Sequence, residues 1–290
     1  ILDCSKYVGP GRCGREHTLE TKKVVVEYHA LDKFDQYMDE VGLTGKRAVI
    51  YDTNTYNLPT LKHVRADQEI VLNAEGLHSE KGMIEDMMRQ LDHPDVIVAV
   101  GSGTIMDFGR YPAYHLGIPF VAVPTLASSD GFTANICSII IDGQKKSIPM
   151  QAAALVVCDL NVVSGAPLWL TVSGISDILA KYISLADWKI AHLVSGEYYC
   201  PMVADLAQEA LTIMRKAADD MAAGGKPDFE AMTMAQMISG LTMQLLNHSR
   251  AASGAEHLMA HLVEMKPPRF ESAHGMHGQC VGVGTYLCAK

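Results

Sequence analysis

The sequence predicts an α/β amino-terminal domain with a mostly parallel sheet, followed by an all-α carboxy-terminal domain. Short, continuously apolar segments alternate with helix-like segments in the first half, which is typical of parallel strands covered on both faces. After Pro167 the pattern becomes almost wholly helical. We therefore predict two domains, residues 1–163 and 164–290.

The strand-like segments of the first half are rich in β-branched and apolar residues. They comprise residues 22–28, 47–52, 69–73, 96–100, 119–123 and 154–158, and helices are predicted over residues 31–41, 79–91 and 104–115. Residues 136–141 and 145–148 flank Asp142-Gly143, a favoured two-residue turn, and predict a β-hairpin. Alternation of this kind predicts crossover connections between parallel strands.

The second half predicts long helices separated by short breaks. The helical spacing covers residues 171–191, 201–223, 229–247 and 252–265, with a clear break at residues 224–227. Another helix begins after His277, and the chain ends at Lys290. We therefore expect this domain to be truncated at its carboxy terminus.

Composition restricts the class of partner. The formal net charge is −9, which disfavours nucleic acid and anionic membranes but allows an anionic small substrate. The seven cysteines are scattered and form no CxxC pair, which favours a reducing compartment. The longest apolar stretches look too short to span a bilayer, and no signal peptide is visible. These features predict a cytoplasmic protein.

A glycine-containing loop follows the most apolar strand and opens a helix. Gly101, Ser102 and Gly103 form the loop, and Thr104, Ile105 and Asp107 follow it in the helix. Glycine allows backbone amides to approach a pyrophosphate, and a helix amino terminus favours its negative charge. Asp52, at the end of an earlier strand, is positioned to accept hydrogen bonds from a ribose. A tight strand-to-helix turn without a ligand is the alternative, because the pattern is not GxGxxG.

A second polar loop follows the strand over residues 119–123. Thr125, Ser128, Ser129 and Asp130 lie within it. Open α/β sheets bind ligands beyond the carboxyl ends of their strands, so this loop is a candidate binding segment. The alternative is a Ser- and Asp-rich cap for the segment that follows.

Candidate metal ligands occur in the second half. They are Asp177 on a predicted helix, His257 and His261 at i and i+4 of another, and His274 and His277 in a glycine-rich segment. Four histidines between positions 257 and 277 are hard to explain as core packing. One carboxylate and two imidazoles would leave room for a substrate, as in catalytic metal sites.

Simpler interpretations of these residues remain open. Lys181 follows Asp177 at i+4, so the two could form an ordinary helix ion pair. His257 and His261 have the spacing of a zinc protease helix, but Leu258 stands where the catalytic glutamate of such an enzyme would lie, which disfavours a protease.

Five motifs, in order along essentially the whole chain, resemble the glycerol-1-phosphate dehydrogenases. These belong to a wider group with iron-type alcohol dehydrogenases, glycerol dehydrogenases and dehydroquinate synthases. The matching segments are residues 101–107, 124–131, 174–188, 254–257 and 277–284. The sequence departs from the family pattern at Ser129, Ala134 and Gln279, at residues 266–272, and in lacking the family's carboxy-terminal helices.

The resemblance implies a Rossmann-like sheet domain, a dehydroquinate synthase-like architecture and specific roles for the motif residues. Asp177, His257 and His277 would bind one divalent metal, zinc, nickel or iron. NAD or NADP would bind at residues 101–105 and 125–128 near Asp52, whose carboxylate favours NAD. Asp130 and Asp177 would act beside the substrate.

The implied reaction is reduction of dihydroxyacetone phosphate to sn-glycerol 1-phosphate with NADH or NADPH. Metal-bound water, Asp130 and His261 are the alternative proton sources. A glycerol or other alcohol dehydrogenase, a dehydroquinate synthase-type lyase and a nucleotide-binding regulatory module are the alternatives. The expected partners are a small phosphorylated ketone or alcohol and a second copy of the chain in a homodimer, with no nucleic acid and no membrane.

Overall fold

A computed structural model describes residues 1–11, 13–265 and 275–290. The chain forms two compact units. The first comprises residues 1–5, 20–126 and 135–166, and the second comprises residues 6–19, 127–134 and 167–290. We keep the single boundary near residue 163 as a prediction about the protein's domains.

The described residues contain both predicted types of secondary structure. The strands are β1 (Gly9–Pro10), β2 (Glu16–His17), β3 (Lys23–Glu27), β4 (Arg47–Asp52), β5 (Gln68–Leu72), β6 (Val96–Gly101), β7 (Phe120–Pro124), β8 (Ile136–Ile141), β9 (Gln144–Pro149) and β10 (Leu155–Asp159). The helices are α1 (Phe34–Glu40), α2 (Thr53–Tyr56), α3 (Lys81–Met88), α4 (Gly103–Leu116), α5 (Leu160–Val163), α6 (Leu168–Leu179), α7 (Lys181–Ser195), α8 (Pro201–Ala222), α9 (Phe229–Leu246), α10 (Ala255–Glu264) and α11 (His277–Cys288).

The first unit contains a six-stranded parallel sheet in the order β3-β10-β7-β6-β4-β5. Every residue of β4, β6, β7 and β10 is buried. This burial explains why these strands are continuously apolar and not alternating. The predicted α/β fold with a mostly parallel sheet is confirmed.

The predicted hairpin is also present, as the antiparallel pair β8–β9. Asp142 and Gly143 both have positive φ, 53° and 73°. Positive φ at both central residues is the conformation that an Asp-Gly hairpin turn favours.

The second unit is helical apart from the short antiparallel pair β1–β2. The single helix predicted over residues 171–191 is wrong. Ala180 separates α6 from α7, and no proline or glycine marks this break in the sequence.

The expectation that no apolar stretch is long enough to span a bilayer is also wrong. By length and composition alone, α6 and α7 taken together as one segment, Leu168–Ser195, are long and apolar enough to cross a membrane. However, 56% of its most apolar window is buried inside the structure, which is typical of a core helix.

Candidate active site

The first unit brings two of the predicted cofactor residues to one edge of its sheet. Asp52 ends β4 and Gly101 ends β6, each two residues beyond the paired residues Ile50 and Ala99. From these neighbouring strands the chain continues in opposite directions, from β4 to β5 and from β6 to β7. Ligands of open α/β sheets bind beside the carboxyl ends of strands at such a switch point.

The glycine loop between β6 and α4 is shaped by close packing. A Cβ atom on Gly101 would lie 2.8 Å from the Ile105 side chain, and one on Gly109 would lie 2.7 Å from the Cβ of Ala99. Ser102 is extended and makes no side-chain capping bond to the helix. The loop therefore places the amino terminus of α4 beside the end of β6, where an anion would be stabilised.

The carboxylate of Asp52 caps a short helix. Its oxygens accept hydrogen bonds from the backbone N–H and the hydroxyl of Thr55, at 2.9 and 3.0 Å. Thr104 lies in the first turn of α4, and Thr125 lies directly after β7. Ser128 belongs to the second unit. The cofactor roles of these residues stay predictions.

Asp107 lies inside α4, and its carboxylate accepts hydrogen bonds from other residues of the first unit. It accepts hydrogen bonds from the Ser79 hydroxyl at 2.8 Å, the Cys137 thiol at 3.3 Å and the Ser138 backbone N–H at 3.2 Å. Burial raises the pKa of Asp107, although Arg110 and these donors oppose the rise. These contacts tie α4 to β8, and a direct cofactor contact of Asp107 stays a prediction.

In the second unit, the structure brings together the three residues predicted as metal ligands. Asp177 on α6, His257 on α10 and His277 on α11 each offer one ligand atom, and these atoms all lie within 4.8 Å of one another. The Nε2 atom of His257 is 3.4 Å from Asp177 Oδ1, and the two imidazole centroids are 5.4 Å apart. One carboxylate and two imidazoles form a donor set suited to zinc, nickel or iron.

A carboxylate orients each of the two imidazoles. Nδ1 of His257 is 2.8 Å from Glu256 Oε1, and Nδ1 of His277 is 2.6 Å from Glu264 Oε1. When each Nδ1–H donates to its carboxylate, the lone pair of Nε2 faces the candidate site. Histidines that bind metals are commonly oriented in this way. The residues therefore fit a divalent cation in both donor type and orientation.

Sequence reasoning missed both of these glutamates. Glu256 directly precedes His257, which is a signal that could have been used. Glu264 is 13 positions from His277, and no local spacing connects the two residues.

A buried ion pair network adjoins the three ligand candidates. The Lys181 side chain is fully buried, with Nζ 2.9 Å from Asp130 Oδ2 and 3.5 Å from Asp177 Oδ1. Asp130 also accepts a hydrogen bond from the Ser239 hydroxyl at 2.8 Å, and its backbone N–H donates to Asp177 Oδ2 at 3.1 Å. The contact between Asp177 and Lys181 is therefore real, but it belongs to a buried network and not to an exposed helix pair.

The charges of this network shift the pKa values of its members. Burial opposes ionisation of Asp177, but the Lys181 ammonium and the neighbouring histidines overcome this effect and hold its pKa well below its usual range. Burial alone would lower the pKa of Lys181, but the Asp130 and Asp177 carboxylates raise it. Burial alone would also lower the pKa of His257, but its hydrogen bonds with Asp177 and Glu256 raise it. Asp177 is therefore a carboxylate and Lys181 a cation at neutral pH.

His261 lies beside the predicted ligands. Its ring centroid is 5.8 Å from that of His277, and ligand atoms of His261, Glu264 and His277 also lie within 4.8 Å of one another. The roles of His261 as a proton source and as a further ligand stay predictions. His274 and residues 266–272 lie outside the described residues.

Glycines in the motifs allow the helices that carry these ligands to pack closely. A Cβ atom on Gly278 would collide with the backbone carbonyl of Ser173, and one on Gly284 would collide with the carbonyl of Glu256. A Cβ atom on Gly174 would likewise collide with the backbone carbonyl of Ala127. Backbone approaches this close are open only to glycine, which explains why glycines accompany the ligand motifs.

Comparisons first identify the class of protein. Residues 25–167 match the family model described as iron-containing alcohol dehydrogenase. A solved structure of a glycerol dehydrogenase from Schizosaccharomyces pombe aligns with a TM-score of 0.72 and 22% identity, covering 94% of this chain and 72% of that chain. An iron-containing alcohol dehydrogenase from Thermotoga maritima aligns with a TM-score of 0.70 and 17% identity, covering 92% of this chain and 76% of that chain. At these identities the two structures show the fold.

Curated sequences then give the particular family. A glycerol-1-phosphate dehydrogenase [NAD(P)+] from Halalkalibacterium halodurans is 34% identical over 287 residues, which are 95% of this chain and 72% of that protein. The protein of that name from Geobacillus stearothermophilus is 39% identical over 213 residues, which are 73% of this chain and 53% of that protein. The chain belongs to the family of these glycerol-1-phosphate dehydrogenases, within the iron-containing alcohol dehydrogenase group, as the motifs predicted.

Proposed function

We propose that the protein reduces dihydroxyacetone phosphate to sn-glycerol 1-phosphate. NADH or NADPH supplies the hydride, one proton is taken up, and NAD+ or NADP+ is released. The observation that carries this proposal is the convergence of Asp177, His257 and His277, each imidazole oriented by a carboxylate, in a chain 34% identical to a glycerol-1-phosphate dehydrogenase. The shared family favours the phosphorylated ketone over plain dihydroxyacetone.

We assign the metal to Asp177, His257 and His277. When bound there, a divalent cation polarises a ketone carbonyl and stabilises the negative charge that develops on its oxygen. Glu256 and Glu264 hold the two imidazoles with Nε2 directed at the site. Lys181 keeps Asp177 ionised, so the carboxylate remains available as a ligand.

We assign the cofactor to the first unit, at the ends of β4 and β6. The amino terminus of α4 would stabilise the pyrophosphate, and Asp52 would accept hydrogen bonds from the adenosine ribose. A carboxylate at that position repels a 2′-phosphate, so we expect NADH to be preferred. We also propose that the enzyme acts in the cytoplasm, as the seven free cysteines favour, and as a homodimer.

The proton that completes the alcohol comes, in this proposal, from the second unit. Asp130 is held as part of an ion pair with Lys181, 2.9 Å away. The His261 ring lies beside that of the predicted ligand His277, with the two centroids 5.8 Å apart. We therefore favour His261, or water next to it, over Asp130 as the source.

The test is NADH oxidation by the metal-loaded protein with dihydroxyacetone phosphate and dihydroxyacetone in parallel. We expect net oxidation with the phosphorylated ketone and a much slower rate with the plain ketone. Faster oxidation with dihydroxyacetone would reassign the protein to the glycerol dehydrogenases. No net oxidation with either ketone would contradict a dehydrogenase and favour a lyase that uses NAD only transiently.

A further inference from the structure

A second cluster of metal-ligating side chains lies in the second unit. Ligand atoms of Cys13, His17 and Cys200 all lie within 4.8 Å of one another. His17 and Cys200 are buried and Cys13 is half-buried. The cluster shares no residue with the candidate active site.

The geometry of the cluster is centred on one imidazole nitrogen. Nε2 of His17 is 3.0 Å from the sulfur of Cys13 and 3.5 Å from the sulfur of Cys200. Zinc binds sulfur at about 2.3 Å and imidazole nitrogen at about 2.0–2.1 Å, so sulfur and nitrogen ligands of a tetrahedral ion are about 3.6 Å apart. The separation from Cys200 is close to that value, whereas the 3.0 Å separation from Cys13 is shorter, and this sulfur would move outward by about 0.6 Å when zinc binds.

The other nitrogen of His17 fixes the orientation of the ring. Nδ1 lies 2.9 Å from the backbone carbonyl oxygen of Leu245, so Nδ1–H donates and the lone pair of Nε2 faces the two sulfurs. A backbone carbonyl in this role is typical of histidines that bind metals.

The loop that carries two of the ligands is built closely around them. Cys13 lies in the turn between β1 and β2, and His17 lies on β2; across this hairpin Gly11 N–H donates to the Arg15 carbonyl at 2.9 Å. A Cβ atom on Gly11 would lie 2.6 Å from the His17 ring and 2.9 Å from the Cys13 sulfur. Glycine is therefore needed at this position because the two ligand side chains fold over its backbone.

The surroundings also favour the thiolate form of one cysteine. The neighbouring Tyr198 hydroxyl, with smaller contributions from Arg15 and His17, lowers the pKa of Cys13 to about 6. Thiolates are the form in which cysteines bind metals. The same hydroxyl stands beside Cys200 as well, but burial and the two cysteines raise the pKa of this phenol, so it stays protonated. The chain therefore supplies three zinc ligands, and water would take the fourth position.

We propose that Cys13, His17 and Cys200 form a second metal site, for zinc, separate from the candidate active site. The site would fasten the β1–β2 hairpin to the segment before α8 and to the end of α9. Two thiolates and one imidazole are softer ligands than those of the active site, so the two sites differ in their preferred metals. This proposal does not depend on the proposed reaction.

The test is a cobalt(II) titration of the full-length, reduced, metal-free protein. Cobalt bound to thiolates gives a near-ultraviolet charge-transfer band that a site of carboxylate and imidazole ligands does not give. We expect the band in the unmodified protein and in His257→Ala. It should be lost in Cys13→Ser and in Cys200→Ser, each with one fewer equivalent of bound zinc, and kept in the control Cys288→Ser.

Two outcomes would overturn the site. One is the absence of the band in the unmodified protein, which requires no variant to fold. The other is an unchanged band in Cys13→Ser, whose half-buried position makes it the variant that least disturbs folding. If the intact mass of protein purified without reductant shows the loss of two hydrogen atoms, and the band is absent after reduction, the pair is a disulfide and the metal site is refuted.

Discussion

Replacing Lys181 with methionine should strongly destabilise the second unit of the metal-free protein. The variant keeps most of the length of the side chain but removes the ammonium that lies within 4 Å of both Asp130 and Asp177. At separations of 2.9 and 3.5 Å, each attraction is about 5–6 kcal/mol at an effective dielectric constant of about 20, and desolvation offsets much of it. Breaking a buried pair by removing one partner typically costs about 3–5 kcal/mol, and we expect a loss in that range.

The assay is urea unfolding followed by tryptophan fluorescence. Both tryptophans, Trp169 and Trp188, lie in the second unit, so the signal reports on that unit alone. The matched control is Lys216→Met, which breaks an i,i+4 ion pair of the same type with Asp220 on the exposed surface of α8. Surface pairs of this kind contribute little, so the control should leave the unfolding midpoint nearly unchanged.

A bound metal should partly restore the Lys181→Met variant. The cation would offset the charge of Asp177, so zinc should raise the unfolding midpoint of the variant more than that of the unmodified protein. If Lys181→Met lowers the midpoint no more than Lys216→Met does, the buried ion pairs of Lys181 do not stabilise the second unit. If zinc raises the unfolding midpoints of the variant and the unmodified protein equally, the charge of Lys181 is not coupled to the metal site.

Three further substitutions test the site and its support. His257→Ala should lose bound metal and reduce turnover by about 10²–10⁴-fold while circular dichroism stays unchanged, and normal activity would remove this residue from the ligand set. Glu264→Gln should weaken metal binding by about 10–100-fold in a competition titration with a chelator, because the His277 ring would lose its carboxylate partner. The exposed control Glu209→Gln should leave the metal affinity unchanged. Equal metal affinities in the two variants would contradict an orienting role for Glu264. Gly278→Ala should destabilise the protein by about 1–3 kcal/mol or more in thermal unfolding, because the added Cβ atom would collide with a backbone carbonyl. The control Gly82→Ala, which has open space around it, should leave the stability unchanged or raise it.

The parts of the fold that follow from local patterns were predictable from the sequence. Strands such as β4 and β6 are buried on both faces, so apolar residues fill them without interruption. The Asp142-Gly143 turn was equally visible, because its conformation requires residues that tolerate positive φ. The break between α6 and α7 was not predictable, since Ala180 favours a helix and the break depends on tertiary packing.

Some residues of the candidate site were also predictable from the sequence, and others were not. Asp177, His257 and His277 were predicted because their chemistry is distinctive, and the structure brings them together. Glu264 and the pairing of Lys181 with Asp130 were missed, because these contacts join residues far apart in the chain. The cluster of Cys13, His17 and Cys200 was missed for the same reason, since 183 positions separate Cys200 from His17. Contacts between residues this far apart in the chain can be recognised only from the folded structure.

The most direct test of the central claim, that a metal held by Asp177, His257 and His277 is needed for ketone reduction, is a reconstitution series. Protein stripped with a chelator is loaded with increasing zinc, nickel or iron, and NADH oxidation with dihydroxyacetone phosphate is measured against the metal bound. We predict negligible activity in the stripped protein and a rate that rises in proportion to occupancy of this site, with no recovery in His257→Ala. Full activity in the stripped protein, or equal recovery in His257→Ala, would contradict the account.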